Sequence, residues 1–381
     1  MADRFIQLHL LTFYAPANLN RDDTGRPKTA MVGGVERLRV SSQALKRAVR
    51  TSEAFEKELE GSLGKRSRNF GRQVVLKHLL ENQIPEKDAE KAVSEIMKLF
   101  TKGKGEEKEA KKGDKDVLQS GQLIFLSGDD VTKINELALA AAKGGKTPSQ
   151  DDLRKALSSA KAAADISMFG RMMSGIESLG VEAAVQVAHA FTTHGADIES
   201  DVFVAVDEHP LESEGRGAGH FDSTGVGFGS GVFYIYVCID RELLTDNLMD
   251  EKYRKNDDPK VRAEGKRQFE DLARDAISAL TRGLATVSPT GKQASFASRS
   301  RAAFILAERG DDQPRQLSGA FLKPVKGDDL MAASIKALID CRGRMQKAYG
   351  DAPDSAANTA IMDMTKSDGG TLADIIAFVA R

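Results

Sequence analysis

Only two cysteines occur in 381 residues, Cys238 and Cys341, about a hundred positions apart and outside any Cys-x-x-Cys spacing. A disulfide framework and a structural zinc site therefore both lack their ligands. No apolar run approaches the ~20 residues that span a bilayer. The opening Met1-Ala2-Asp3-Arg4-Phe5 has no basic stretch leading into an apolar signal core, so the expectation is a cytoplasmic protein with no membrane partner. Net charge is nearly absent as well: 55 Lys and Arg oppose 56 Asp and Glu, a formal charge of -1. This excludes a globally basic nucleic-acid coat. It leaves room for a basic face offset by an acidic one, because a ligand feels the local field and not the sum.

The remaining composition suits a large core. Apolar residues make up 41% and charged residues 29%, outside the range of a disordered chain. The length exceeds the ~100–200 residues of a typical domain, which predicts one core with a sizeable insertion or a second domain. In residues 5–14, Ile6, Leu8 and Leu10 alternate with Gln7 and His9, the pattern of a strand with one face on a core. Residues 15–40, rich in Pro, Gly, Asn, Asp and Arg, predict a long loop or a short hairpin. Ser41 and Ser42 are N-cap residues for a helix reaching about Phe55. Between 56 and 180, Leu, Lys, Glu and Ala predict a helical insertion, with the charged run 102–116 as an exposed loop inside it.

Further along, the pattern predicts a helix over 181–191 and strands over 202–206 and 232–239. Glycines at 215, 217, 219, 225, 227, 229 and 231 lie two apart, which puts each set on one face of an extended hairpin that another backbone can approach. A floppy loop is the competing reading. A helix over 262–284, a strand over 302–307 and helices over 330–349 and 372–380 complete an α+β chain.

Several familiar signatures fail. Residues 140–147 (AAAKGGKT) end like a phosphate-binding loop, but alanine stands where the first glycine is required and no strand precedes it. The even glycine spacing before residue 232 is not G-x-G-x-x-G and leads into a strand. His189 and His194 lie off one another's helical face with no acidic or cysteine partner at ligand spacing, so each reads as a structural histidine and no metal or cofactor is expected. Neither a nucleophile elbow nor a Cys-His pair is present.

The informative segment is 20–50, NRDDTGRPKTAMVGGVERLRVSSQALKRAVR, with eight basic residues against Asp22, Asp23 and Glu36. Gln43, Lys46, Arg47 and Arg50 share one helical stripe, opposite Leu45, Ala48 and Val49. Ser41 and Ser42 stand where the free N–H groups of a helix N-terminus favour phosphate. An ordinary solvated helix face is the competing reading. A second basic window supports binding: residues 276–307 hold no Asp or Glu, while Arg282, Lys292, Arg299 and Arg301 lie among Ser, Thr and Gln. The opposite bias runs from 194 to 224, where eight acids face only Arg216. A basic surface and an acidic projection on one chain suggest head-to-tail contacts between copies as well as polyanion binding.

These residues resemble a known family. N-R-D-D at 20–23, Lys28, G-G at 33–34, and R-V-S-S-Q-x-L-K-R-A-x-R at 39–50 resemble the CasC backbone subunits of the type I-E CRISPR surveillance complex, Cascade. The likeness continues in G-R-M at 170–172, H-A-F-T-T-H at 189–194, A-V-D at 205–207, S-G-V-F-Y at 230–234 and G-K-Q at 291–293. The resemblance implies an RRM-like (ferredoxin-like) palm formed by 1–55, 181–194 and 230–381, with helical fingers at 56–180 and a thumb hairpin at 195–229. It implies copies polymerised head to tail along CRISPR RNA, presenting the guide to target DNA beside other Cascade subunits. Arg21, Lys28, Ser41, Gln43, Lys46 and Arg50 would hold phosphates and sugars, and Met172 would pack on the displaced nucleotide region. Arg37, Arg39, Ser42, Arg47, Gly170, Arg171, Lys292, Arg299 and Arg301 complete the candidate RNA contacts, with Val202, Phe203, His220 and Phe221 as the thumb wedge. Phosphate contacts position a strand without reading it, as a variable guide requires. The expected role is therefore non-catalytic. The alternative is a metal-dependent RNA endonuclease of the type III backbone kind using Asp22 or Asp23.

Overall fold

A computed structural model of the chain describes residues 3–100, 118–120, 122–158, 161–173, 176–206, 218–350 and 357–381, with backbone alone at 201–206 and 218–226. The charged run at 102–116 lies outside the described residues. Two compact units emerge: Met1–Phe55, Val187–Cys238 and Ser278–Arg381 form a sheet unit, and Glu56–Gln186 with Ile239–Ile277 form a helical unit. The helical unit thus takes in 239–277, which the resemblance assigns to the palm.

In the sheet unit, β1 (Phe5–Ala17) is followed by the hairpin β2 (Thr29–Val32) and β3 (Val35–Val40). Val32 pairs with Val35 across Gly33-Gly34, whose φ values of 60° and 77° suit the two-residue turn that matches strand twist. A Cβ on Gly33 would lie 1.7 Å from the Leu322 carbonyl oxygen, so packing as well as φ requires glycine there. After the short β4 (Lys65–Ser67) and β5 (Ile124–Leu126) of the helical unit come β6 (Val185–Val187), β7 (Ala190–Thr192), β8 (Glu199–Val206), β9 (Ala218–Asp240), β10 (Phe304–Gly310) and β11 (Thr359–Asp363). The main sheet runs β11-β10-β1-β9-β7-β3-β2, and the pairs β1–β10, β10–β11, β2–β3, β3–β7 and β7–β9 are antiparallel, in keeping with an α+β fold.

The helix expected over 181–191 is instead β6 and β7. Arg39 pairs with Phe191 and Phe191 with Tyr234, so flanking strands satisfy this segment's backbone and local helix propensity loses to tertiary pairing. The helix after Ser41 ends at Arg50 and a second begins at Glu53, a break inside the span expected to be continuous. By contrast the helix Leu330–Tyr349 matches its expected bounds.

The sheet buries β1 on both faces, not on one. Ile6, Leu8 and Leu10 are fully buried, but so are His9 and, nearly, Gln7. Leu11, Tyr234, Phe304 and Phe321 share a core with Ile335 and Leu338 of the 330–349 helix. Within the same unit the 42–50 helix seats Val49 at Gly283, where a Cβ would come within 2.6 Å of Val49 Cγ1. The helical unit has its own core around Phe70, Leu79, Val93, Phe100, Ile134 and Leu153.

The polar groups beneath the 330–349 helix form one chain of hydrogen bonds. The Leu317 N–H donates to Tyr234 Oη at 3.1 Å, and that hydroxyl donates to His9 Nδ1 at 2.9 Å. His9 Nε2–H then donates to Glu308 Oε2 at 3.2 Å, while Arg342 Nε and Arg315 Nη2 donate to Glu308 Oε1 at 2.7 and 3.1 Å. Burial holds His9 below its ordinary value, more than Glu308 raises it, so the imidazole is neutral. Burial pushes the Glu308 carboxyl up, but the His9 hydrogen bond and the Arg342 and Arg315 charges outweigh it and bring it down to about 2.

Candidate nucleic-acid interface

The basic segment 20–50 is held in place by two buried or half-buried asparagines and one aspartate. Asn18, fully buried after the end of β1, donates through Nδ2 to the Gly25 carbonyl at 3.0 Å and to the Gly227 carbonyl at 2.8 Å. It thereby ties the 20–27 loop to the base of the β8–β9 hairpin. Asn20 Oδ1 accepts from the Ser41 N–H at 2.9 Å, and the Lys28 N–H donates to the Asn20 carbonyl at 2.8 Å. Asp22 Oδ1 accepts from Thr24 N–H, Thr24 Oγ1 and Arg26 N–H at 2.9, 2.8 and 3.0 Å, closing a turn on itself. The Thr24 hydroxyl bond leads the causes that hold this exposed carboxyl below its ordinary value.

The glycine-rich side of β9 closes the same region. A Cβ on Gly227 would sit 3.0 Å from Pro27 Cδ, on Gly229 2.8 Å from Leu38 Cδ1 and on Gly231 2.6 Å from His194 Nε2. The bare face is covered mostly by side chains, and another backbone approaches at Gly229, where a Cβ would lie 3.2 Å from the Asp197 carbonyl oxygen. A third segment joins at Gly291, where a Cβ would meet the Asn18 and Leu19 carbonyl oxygens at 2.4 and 2.3 Å. The next residue, Lys292, adopts a left-handed φ of 48°, and the Phe296 ring lies tilted against Phe228 with centroids 5.7 Å apart. Asn18 thus sits where three segments of the sheet unit converge.

Within this frame Arg21, Gln43, Arg47, Arg299 and Arg301 are exposed, and Lys28, Arg39, Ser42, Lys46, Arg50 and Lys292 are half-buried. Leu45 and Val49 are buried, as the helical stripe predicts. Arg39 Nη1 donates to His189 Nδ1 at 2.9 Å, and its Nε to the Thr29 carbonyl at 3.4 Å. Burial, then the Arg39 and Lys28 charges, hold His189 below its ordinary value.

Four expectations change. Arg37 is fully buried, donating through Nη1 to the Thr192 carbonyl at 3.0 Å and through Nη2 to the Phe321 carbonyl at 3.1 Å, so its guanidinium has no surface to offer RNA. Arg171 lies in the helical unit, with Nη1 2.6 Å from Asp130 Oδ2 and Nε on the Leu179 carbonyl, a tie inside that unit. The helix N-terminus is partly occupied from within, since the N–H groups of Ser41, Ser42 and Ala44 meet Asn20 Oδ1, His189 Nδ1 and Ser41 Oγ. His189, expected to be a structural histidine, is exposed among cations.

Gly170 caps a helix at φ 79° and Met172 is 89% exposed, both in the helical unit. The side chains of Val202, Phe203, His220 and Phe221 lie outside the described residues, although the β8–β9 backbone pairing that carries them is antiparallel. Asn18 lies outside every motif singled out in the sequence, while Asn20 opens N-R-D-D and His189 opens H-A-F-T-T-H without either being given a role there. For the asparagines the available signal is position, at the exit of a strand and before a loop rich in turn residues. Among the described residues no cluster of three or more His, Cys, Asp or Glu is placed to hold a metal ion, and no helix is long and apolar enough to cross a membrane.

The fold of this chain is shared with known structures. A chain described as "CRISPR RNA-guided surveillance complex, pre-nicking" is 28% identical, with 99% of each chain covered and a TM-score of 0.79. Another, described as "CRISPR RNA-guided surveillance complex", has the same fold at 23% identity, 98% of each chain and a TM-score of 0.67. No curated protein matches the sequence. The CT1975-like protein family model matches residues 6–376, and the chain belongs to that family.

Proposed function

We propose that this chain is a non-catalytic CRISPR-RNA-binding backbone subunit of a Cascade-type surveillance complex, of the type I-E kind, acting in the cytoplasm. The observation that carries the reading is the end-to-end likeness to a subunit of an RNA-guided surveillance complex, at a TM-score of 0.79 over 99% of both chains. The sheet unit supports it. Spatial order β10-β1-β9-β7, with the 42–50 helix after β1 and the Pro259–Thr286 helix between β9 and β10, is that of a βαββαβ unit, which supports an RRM-like palm. Exposed Arg21 and Arg47, with Lys28 and Arg39, supply phosphate contacts that hold the strand without reading it. Copies polymerise head to tail along the guide, the β8–β9 hairpin serves as the thumb, the helical unit as the fingers, and the guide is offered to target DNA beside other Cascade subunits. Asp22 spends its carboxylate oxygen on its own turn, which supports a loop-shaping role and not a nucleolytic one.

Native mass measurement of the purified particle tests the reading: several copies with one bound RNA are expected, and a particle free of nucleic acid overturns it. Incubation with complementary RNA and magnesium tests the absence of cleavage. Cuts at regular intervals, abolished by Asp22→Ala or Asp23→Ala, would establish the nuclease instead. Affinity should fall with salt at a log-log slope of about 0.7 per phosphate contacted.

A further inference from the structure

His189 sits where an anion belongs. It lies between β6 and β7, exposed, and its Nδ1 accepts from Arg39 Nη1 at 2.9 Å on β3 and from the Ser42 N–H at 3.4 Å on the 42–50 helix. Two donors converge on one ring nitrogen, so that nitrogen carries no proton and the neutral ring keeps its proton on Nε2. Among the described residues the charged groups acting on the ring are Arg39 and Lys28, both positive. The ring is thus a neutral acceptor in a positive surrounding, a position in which a phosphodiester oxygen is the stronger acceptor.

We propose that His189 is the resident acceptor of an RNA phosphate site and that, when the phosphate arrives, the ring takes up a proton and becomes one of its ligands. This rests on the RNA-binding reading above. A phosphate oxygen beside Arg39 takes over the guanidinium bond, which frees Nδ1. A negative charge within ~4–6 Å then favours the imidazolium, whose N–H groups donate to the same anion. No covalent bond between heavy atoms changes; one proton moves from solvent to Nδ1 for each copy that engages RNA. The sign follows from linkage: His189 titrates below its ordinary value of 6.5 when free, and higher when a phosphate is bound. Affinity is therefore greatest at low pH and declines as pH rises through the bound-state value. His194, the neighbouring histidine, spends both ring nitrogens inside the sheet unit, Nδ1 on the Gly195 carbonyl at 2.8 Å and Nε2 on the Val232 N–H at 3.2 Å.

The test measures binding of a fluorescent single-stranded oligouridine to the full chain at fixed salt, at pH 6 and pH 8. An affinity about tenfold higher at pH 6 is expected for the native chain. The His189→Asn variant keeps an acceptor near the Nδ1 position but cannot take the proton, and its ratio of affinities should collapse toward one. A ratio in the variant equal to that of the native chain overturns the inference while leaving RNA binding intact. No binding at either pH overturns the RNA reading itself. Calorimetry of the native chain in two buffers of different ionisation heat gives the answer without a variant: proton uptake on binding is expected, and equal heats in both buffers refute it.

Discussion

Arg37 and Arg39 lie two residues apart on β3, on the same face by strand alternation, yet they have opposite surroundings. Arg37 lies under the Phe321 segment and spends both terminal nitrogens on backbone carbonyls; Arg39 lies beyond that cover, beside exposed His189. The same contrast holds between the two charged regions of the sheet unit. Around Glu308 the carboxylate is met inside the protein, by hydrogen bonds from His9, Arg315 and Arg342. Along 20–50 eight basic residues stand against Asp22, Asp23 and Glu36, and Asp22 is committed to its own turn. Buried charge without a partner is too costly to keep, whereas surface charge without one is cheap and remains available to a ligand.

That contrast can be broken at several points. Glu308→Ala leaves two arginines facing an emptied site and should cost about 4 kcal/mol, read as a shift in the denaturant midpoint; a shift no larger than for a surface residue would dissolve the distinction. Acid should act next, by up to about 3 kcal/mol. His9 is held neutral, so stability begins to fall as pH drops below its unfolded value of 6.5. The Glu308 contribution, full above the ordinary 4.5, is then lost as pH falls toward about 2. Denaturation curves across this range check both steps. Arg37→Met should destabilise by about 2 kcal/mol because two buried carbonyls lose their donor. RNA loss in that variant with unchanged stability would return Arg37 to the binding face. Asn18→Ala removes two hydrogen bonds and should cost about 1–2 kcal/mol, with raised hydrogen exchange in the 20–27 loop. The exposed pair Arg21→Glu and Arg47→Glu should move stability least, within about 0.5 kcal/mol, while weakening RNA loading for every RNA sequence. Weakening for some sequences only would contradict a backbone grip.

Much of this fold is legible in the chain itself. Alternation marks β1, the basic and acid-free windows mark the charged segments of the sheet unit, and the 42–50 helix buries Leu45 and Val49 from the apolar side of its stripe. The miss at 181–191 has a definite cause: its alanines and valines suit a helix or a strand, and only the neighbouring β3 and β9 select the strand. At Arg37 composition argues for RNA contact, and at Arg171 the resemblance does, but neither says what will cover the side chain. His189 misleads for the converse reason: its sequence neighbours hold no charged partner, and it meets Arg39 only across the sheet, 150 positions away.

The α+β class, the helical character of 56–180 and the sign of the charge at 20–50 follow from the chain alone, because each depends on spacing and composition within a window, whereas the glycine spacing leaves a hairpin and a floppy loop open until β8 pairs with β9. Tertiary packing decides which cations stay at the surface, how Asn18 joins three segments and what His189 faces. Those outcomes depend on which distant residues supply burial and hydrogen bonds, and no local pattern carries that information.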